Sequence, residues 1–320
     1  MIDPLERWRG LGDKPDYAGL LTFMGLPYTE DPAKLVGVDA AIVGAPTDDL
    51  VSDRPGARFG PRAIRAASCP PGPHLEAKID AAAELRLVDF GDAPVIPADP
   101  VRTRDAIAET VGQVVRAGAV PLVLGGDHSI AEPDIAAVAA VHGPVGLVHF
   151  DTHTDTGSEV FGVDVSHGTP MYRLVERGLV DPLRYVQIGL RGYWPGEAEF
   201  FWQAELGITS FFMHDVRDRG IRDVVERTVG LVGEGPVFVS VDVDVLDPAF
   251  APGTGTPEPG GMTSADLLWA CRTLAERLEV VGADVVEVIP TAVGSADVTA
   301  LVAERIVREI LTGIALRKRP

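Results

Sequence analysis

Short apolar runs rich in β-branched residues recur along the chain at 38–44, 85–90, 120–124, 145–150, 184–188, 208–213, 237–243 and 280–288. Polar residues scarcely alternate with apolar ones inside them, so each reads as a strand buried on both faces. Between these runs, at 102–117, 132–141, 168–177, 221–232, 264–277 and 296–316, apolar positions return every three or four residues, the spacing of a helix with one packed face. Strand and helix therefore alternate through most of the chain, which predicts an α/β fold: a parallel sheet covered by helices on both sides.

No linker, compositional shift or internal repeat divides the 320 residues. The expectation is one domain over 1–320, with 1–37 as an N-terminal extension packed on that domain or on a neighbouring subunit. Two segments, 46–61 and 249–261, are rich in Gly and Pro and long for plain connections. They suit loops over a site as well as surface loops without a role.

Charge narrows the choice of partner. Lys plus Arg total 28 against 47 Asp plus Glu, a formal charge of −19. Such a field disfavours nucleic acid and anionic membranes and draws in a small cation, although many of these charges serve solubility alone. Cys69 and Cys271 form neither a disulfide framework nor a Cys-x-x-Cys pair, which fits a reducing cytoplasm. The charged first residues lack the apolar stretch of a secretory signal, and no run has the length of a membrane span.

Candidate chemistry gathers where predicted core strands run out. Asp151, His153 and Asp155 stand at i, i+2 and i+4 after one strand, and Asp242 and Asp244 at i, i+2 after another; strand alternation would turn each set to one side. Burying such carboxylates bare is costly, and with no Lys or Arg nearby in sequence a metal is the leading compensation. His128, in Gly125-Gly126-Asp127-His128-Ser129, follows a third apolar strand. The carboxyl ends of strands in an open parallel sheet meet at a crevice, so three distant segments can converge there. Two imidazoles and four carboxylates without a thiolate suit hard or borderline divalent ions, manganese before zinc. Six ligands are too many for one catalytic ion with an open position and suit two ions sharing bridging carboxylates. A lone Asp-x-His is more often a turn; the three motifs together are far more specific.

These segments, with His167-Gly168-Thr169-Pro170 and the stretches 54–61, 252–256 and 287–290, resemble those of the ureohydrolase family, which includes arginases, agmatinases, guanidinobutyrases and proclavaminate amidinohydrolases. The resemblance runs in order from about residue 38 to the C-terminus. It implies a three-layer arginase-type fold with a central eight-stranded parallel sheet. It implies one manganese ion on His128, Asp151, Asp155 and Asp242 and another on His153, Asp151, Asp242 and Asp244, with nickel as an alternative metal. It further implies a homo-oligomer, trimer or hexamer, and a catalytic set of His167, Glu287 and Asp155: His167 as proton shuttle, Glu287 as the grip on a substrate guanidinium. The chemistry is consistent with that assignment. Resonance makes a guanidinium carbon a poor electrophile, and two cations sharing one water lower its pKa enough to attack at neutral pH. An imidazole suits protonation of the departing amine, and a carboxylate pairs a guanidinium in a planar fork. Asp127 reads as a residue that fixes a neighbouring ring or loop. His74, His142, His149 and His214 lack motifs and read as structural or surface residues.

The sequence also departs from the family pattern. After Ile188-Gly189-Leu190-Arg191, where arginases carry an acidic residue before Pro-Gly-Glu, this chain has Trp194. Arginine is thereby disfavoured and a decarboxylated or deaminated guanidine favoured. Tyr193 and Trp194 either face an amine through cation–π contact, which leans towards agmatine hydrolysed to putrescine, or pack under a loop. The segments 47–54 and 290–294 differ from the relatives' patterns, which keeps guanidinobutyrate, other guanidino acids and substituted guanidines open. Arg191 suits either a substrate carboxylate or loop structure. Two rivals stand beside a ureohydrolase: a one-metal deacetylase of the same fold, and a non-catalytic, metal-binding regulatory subunit.

Overall fold

The structure, a computed structural model, describes residues 18–69, 72–193, 196–291 and 296–319. The first half of the chain runs β1 (Ala40–Ala45), α1 (Gly60–Ala67), α2 (Ala81–Glu84), β2 (Leu87–Asp92), α3 (Pro100–Arg116), β3 (Val120–Gly125), α4 (Ala131–His142), β4 (Val145–Phe150) and α5 (Pro170–Glu176). The second half runs β5 (Val180–Leu190), α6 (Glu197–Leu206), β6 (Thr209–Phe212), α7 (Met213–Arg219), α8 (Ile221–Val232), β7 (Pro236–Asp242), α9 (Ser264–Arg277), β8 (Glu279–Val286) and α10 (Val298–Lys318). All eight apolar runs are strands of one parallel sheet, ordered β2-β1-β3-β8-β7-β4-β5-β6.

Alternation along each strand divides the apolar residues between two cores. Leu122 and Leu124 of β3, Val148 and Phe150 of β4, and Val239 and Val241 of β7 join the core under α8, α9 and α10. Their neighbours Val123, Leu147 and Phe238 point into the core under α3 and α4. Burial of one such side chain contributes about 1.5–3 kcal/mol, so both faces are strongly held. Helix starts are set locally: Asp99, Thr263 and Asp297 accept the backbone N–H groups of Arg102, Asp266 and Ala300, caps worth about 1 kcal/mol each.

Four helices escape the periodicity argument. α1 begins inside the segment 46–61, where Pro61 near its N-terminus is preset for a helix. α2 is a single capped turn. The one fully buried residue of α6 is the polar Gln203, with Trp202 and Leu206 only partly buried against the core, and α7 starts at Met213, within the run 208–213 read as strand. The described part of the N-terminal extension packs on the sheet: Phe23 is buried and its N–H donates to Asp89 Oδ2 at 2.7 Å. The Asp89 carboxylate is in turn forked by Arg65 at 2.8 and 2.9 Å. Residues 1–17 lie outside the described residues. No helix among the described residues is long and apolar enough to cross a membrane.

The order of the four central strands, β3-β8-β7-β4, decides where chemistry can occur. Their carboxyl ends carry, side by side, His128, Glu287, Asp242 with Asp244, and Asp151 with His153 and Asp155.

Candidate active site

Asp242 is the last residue of β7, and the other candidate ligands lie just past strand ends, so local turns rather than strand alternation aim them. Asp151 Oδ1 accepts the His153 N–H at 2.6 Å, and Asp242 Oδ1 accepts the Asp244 N–H at 2.8 Å at the start of a short 3-10 turn. Asp155 and Glu287 take left-handed backbone, φ 51° and 62°, a conformation that costs a non-glycine residue about 1–3 kcal/mol and concentrates at functional sites. The glycines before His128 are demanded by crowding. A Cβ on Gly125 would meet Val286 Cγ1 at 2.6 Å, and one on Gly126 would run into the carbonyl oxygens of Ala45 and Thr47.

All six candidate ligands converge. His128 Nδ1 faces carboxylate oxygens of Asp155, Asp151 and Asp242 at 2.9, 3.1 and 3.4 Å. His153 Nδ1 lies 3.1 Å from Asp244 and 3.4 Å from Asp151. On the far side of its ring, His128 Nε2 meets Ser240 Oγ at 2.9 Å, and that hydroxyl donates to Asp284 Oδ1 at 2.7 Å. Ser240 has given its hydrogen away, so Nε2 must supply one, and in the neutral ring Nδ1 keeps a lone pair; burial opposes a second proton, but Asp151, Asp155 and Asp242 hold the ring well above the usual imidazole range. A buried lone pair aimed at three carboxylates, with no hydrogen bond, is repulsive unless a cation stands between them. The acid–base balance carries the same strain. Burial, then Asp244 and Asp151, hold Asp242 well above the usual carboxylate range, and burial with Asp151 lifts Asp244 to about 6. Burial also opposes the charge on Asp151, yet the imidazoles of His128, His149 and His153 gathered around it hold it well below that range. The donor set therefore fits divalent cations.

His149 corrects the sequence reading, which set it aside. It is fully buried on β4, with Nε2 2.8 Å from Asp151 Oδ2 and Nδ1 3.0 Å from the Tyr185 hydroxyl. Gln187 donates to that hydroxyl at 2.9 Å, so the hydroxyl donates to Nδ1 and Nε2 carries the hydrogen given to Asp151. His149 thus orients a ligand rather than serving as one. The alternation rule points to it, because it precedes Asp151 by two, as Ser240 precedes Asp242. Of the other histidines set aside, His142 and His214 are exposed, and His74 pairs with Glu309 at 3.0 Å, far from the cluster.

Glu287 sits at the junction of the site. Its Oε1 accepts from the His128 backbone N–H and faces His167 Nδ1, both at 2.9 Å, while Oε2 is buried without a partner. His167 Nε2 meets the backbone N–H of Ser52 at 3.0 Å and its hydroxyl at 2.7 Å. Burial works against a charged His167 ring, but the bond to Glu287 and the charges of Glu287, Asp155 and Asp127 outweigh it and raise the ring to about 9. Asp127 is buried, caps the turn at Ser129 and receives the Leu50 N–H at 3.3 Å, fixing both neighbouring loops. A cleft of about 360 Å³ opens over His153, Asp155, Asp242 and His167, and its outer wall carries Ser52, Asp53, Val160, Phe161, Pro257 and Glu258. Arg191 is committed to the loop, donating to the main-chain carbonyls of Asp244, Val245, Leu246 and Glu258 at 2.6–3.1 Å. Tyr193 is fully exposed and does not line the cleft. Trp194 and most of 290–294 lie outside the described residues.

A His/Asp centre shaped for divalent cations thus lies beside a buried carboxylate with a free oxygen and an imidazole, the equipment of a metal-dependent hydrolase. Comparison with known proteins gives the family. Residues 38–313 match the family described as "Arginase family", and the chain belongs to it. It is 44% identical to a guanidinopropionase of Pseudomonas aeruginosa over 94% of this chain and 93% of that protein. It is 38% identical to an agmatinase of Chromobacterium violaceum over 92% and 88%. The solved proclavaminate amidinohydrolase of Streptomyces clavuligerus superposes with a TM-score of 0.89 at 37% identity, covering 95% of this chain and all of that one. The expected three-layer fold with its eight-stranded sheet is thereby established.

Proposed function

We propose that this chain hydrolyses a small guanidino compound to urea and an amine, with two divalent cations held by its six converging ligands. His128, Asp151, Asp155 and Asp242 would hold one, and His153, Asp151, Asp242 and Asp244 the other, with manganese the first choice and nickel the second. The observation that carries the reading is His128 Nδ1, which faces three carboxylates without a hydrogen bond on a residue whose backbone N–H is held by Glu287. When bound, the cations supply a water whose pKa is low enough for attack at neutral pH. Glu287 receives the guanidinium on Oε2 and orients its carbon over the centre. His167, bridging Glu287 and Ser52, holds the proton that the departing amine requires.

Agmatine is the substrate this cleft suits first, with putrescine as product. The outer wall includes the acidic Asp53 and Glu258, and among the described residues no Lys or Arg lines it, which favours a cationic tail over an anionic one. A second reading, a guanidino acid, is favoured by the relative named guanidinopropionase at 44% identity. We place the protein in the cytoplasm, as its free cysteines Cys69 and Cys271 suit, and take it to be a trimer or hexamer as the resemblance implies. Urea release is to be measured from agmatine, 3-guanidinopropionate, 4-guanidinobutyrate and arginine, with manganese and with nickel. Agmatine should be fastest; a faster guanidino acid selects the second reading, and no urea from any guanidine overturns both.

A further inference from the structure

We propose that Ser52 is a positioning residue for His167: its hydroxyl follows the ring through gain and loss of a proton, so that the ring keeps its place against Glu287. The inference rests on the reading of His167 as the proton carrier.

His167 is held from several sides. Its backbone N–H donates to Leu50 O at 3.1 Å, Nδ1 faces Glu287 Oε1 at 2.9 Å, and Nε2 faces both the N–H and the Oγ of Ser52. A carboxylate only accepts, so Nδ1 keeps its hydrogen in either state of the ring and Nε2 is the atom that changes. The Ser52 amide can only donate, which serves the neutral ring. Once Nε2 carries a hydrogen the amide opposes it, and of the two Ser52 groups only the hydroxyl can turn and accept. The segment is braced for this task. Leu50 is tied to Asp127, Gly56 N donates to Asp48 Oδ2 at 2.6 Å, and Arg58 pairs with Asp48 and Asp49. The charged groups facing the ring are Glu287 after β8, Asp155 after β4 and Asp127 after β3; all favour the protonated ring, with burial opposed. Glu287 and the amide are fixed in what they can do, so the hydroxyl is the adjustable contact.

The test is nitrogen-15 NMR of the histidine rings in metal-free wild type, Ser52→Ala and Ser52→Thr across pH, with steady-state kinetics of the manganese-loaded forms alongside. In Ser52→Ala the proton affinity of His167 should fall about tenfold, the worth of one hydrogen bond, while the other histidines hold their positions. Its kcat should fall roughly tenfold with KM within about twofold, and Ser52→Thr, which keeps the hydroxyl, should restore both. Wild-type titration of His167 in Ser52→Ala, a loss confined to KM, or failure of threonine to restore would each overturn the proposal. If the wild type releases no urea, the reading of the reaction falls and the ring titration alone decides the role of Ser52.

Discussion

Replacing Glu287 by glutamine isolates the proposed grip on the guanidinium from the scaffold around it. The side chain is isosteric, and its amide oxygen can still accept from the His128 N–H and from His167 Nδ1, the two contacts that Oε1 makes at 2.9 Å. What changes is the buried, unpartnered Oε2, which becomes an NH₂ group aimed at a cation. The loss comprises one charge-assisted hydrogen bond, about 1.5–3 kcal/mol, plus a further 1–3 kcal/mol or so for a guanidinium left without its counter-charge in a closed site. A total of about 3–5 kcal/mol corresponds to a fall in kcat/KM of roughly 10²–10⁴. Urea release by the manganese-loaded variant measures the fall, and metal content and melting temperature should stay at wild-type levels. A kcat/KM within about threefold of wild type, with full metal content, would refute the assignment of Glu287.

Ser240→Ala should weaken metal binding by about tenfold or more without removing a ligand, because His128 loses the acceptor that fixes its tautomer; calorimetry with manganese measures it, and unchanged affinity contradicts the tautomer argument. The metal-free protein should melt lower at pH 8 than at pH 5. Burial with neighbouring carboxylates raises Asp127 and Asp244 to about 6, so between their unfolded values and 6 the folded chain binds more protons and stability falls as pH rises. His167, raised to about 9, adds a loss from 6.5 upward. Manganese should reverse the trend, and a metal-free melting temperature equal or higher at pH 8 would show that the carboxylates are not crowded.

The strands were legible because burial on both faces writes uninterrupted apolar runs, as in Val145–Phe150, and the long helices because α8 and α9 carry one packed stripe each. α6 was not legible, since its one fully buried residue is the polar Gln203 while Phe201, beside the packed Trp202, is exposed. Of the site, the ligands were readable from spacing at strand ends, although the turns at His153 and Asp244, not alternation, bring them together. His149, Ser240 and Asp284 stayed hidden because a histidine, serine or aspartate inside an apolar strand shows its role only when its partner across the sheet is known. Ser52 is further still from sequence reach: its contact with His167 spans 115 residues.

Two cations sharing Asp151 and Asp242 are the core of the proposed centre. The direct measurement is elemental analysis of the manganese-saturated chain, joined to anomalous diffraction from its crystals. Two ions per chain are expected, one beside His128 and one beside His153, with Asp151 and Asp242 touching both. One ion or none at saturation, or two ions with those carboxylates bound to neither, would contradict it.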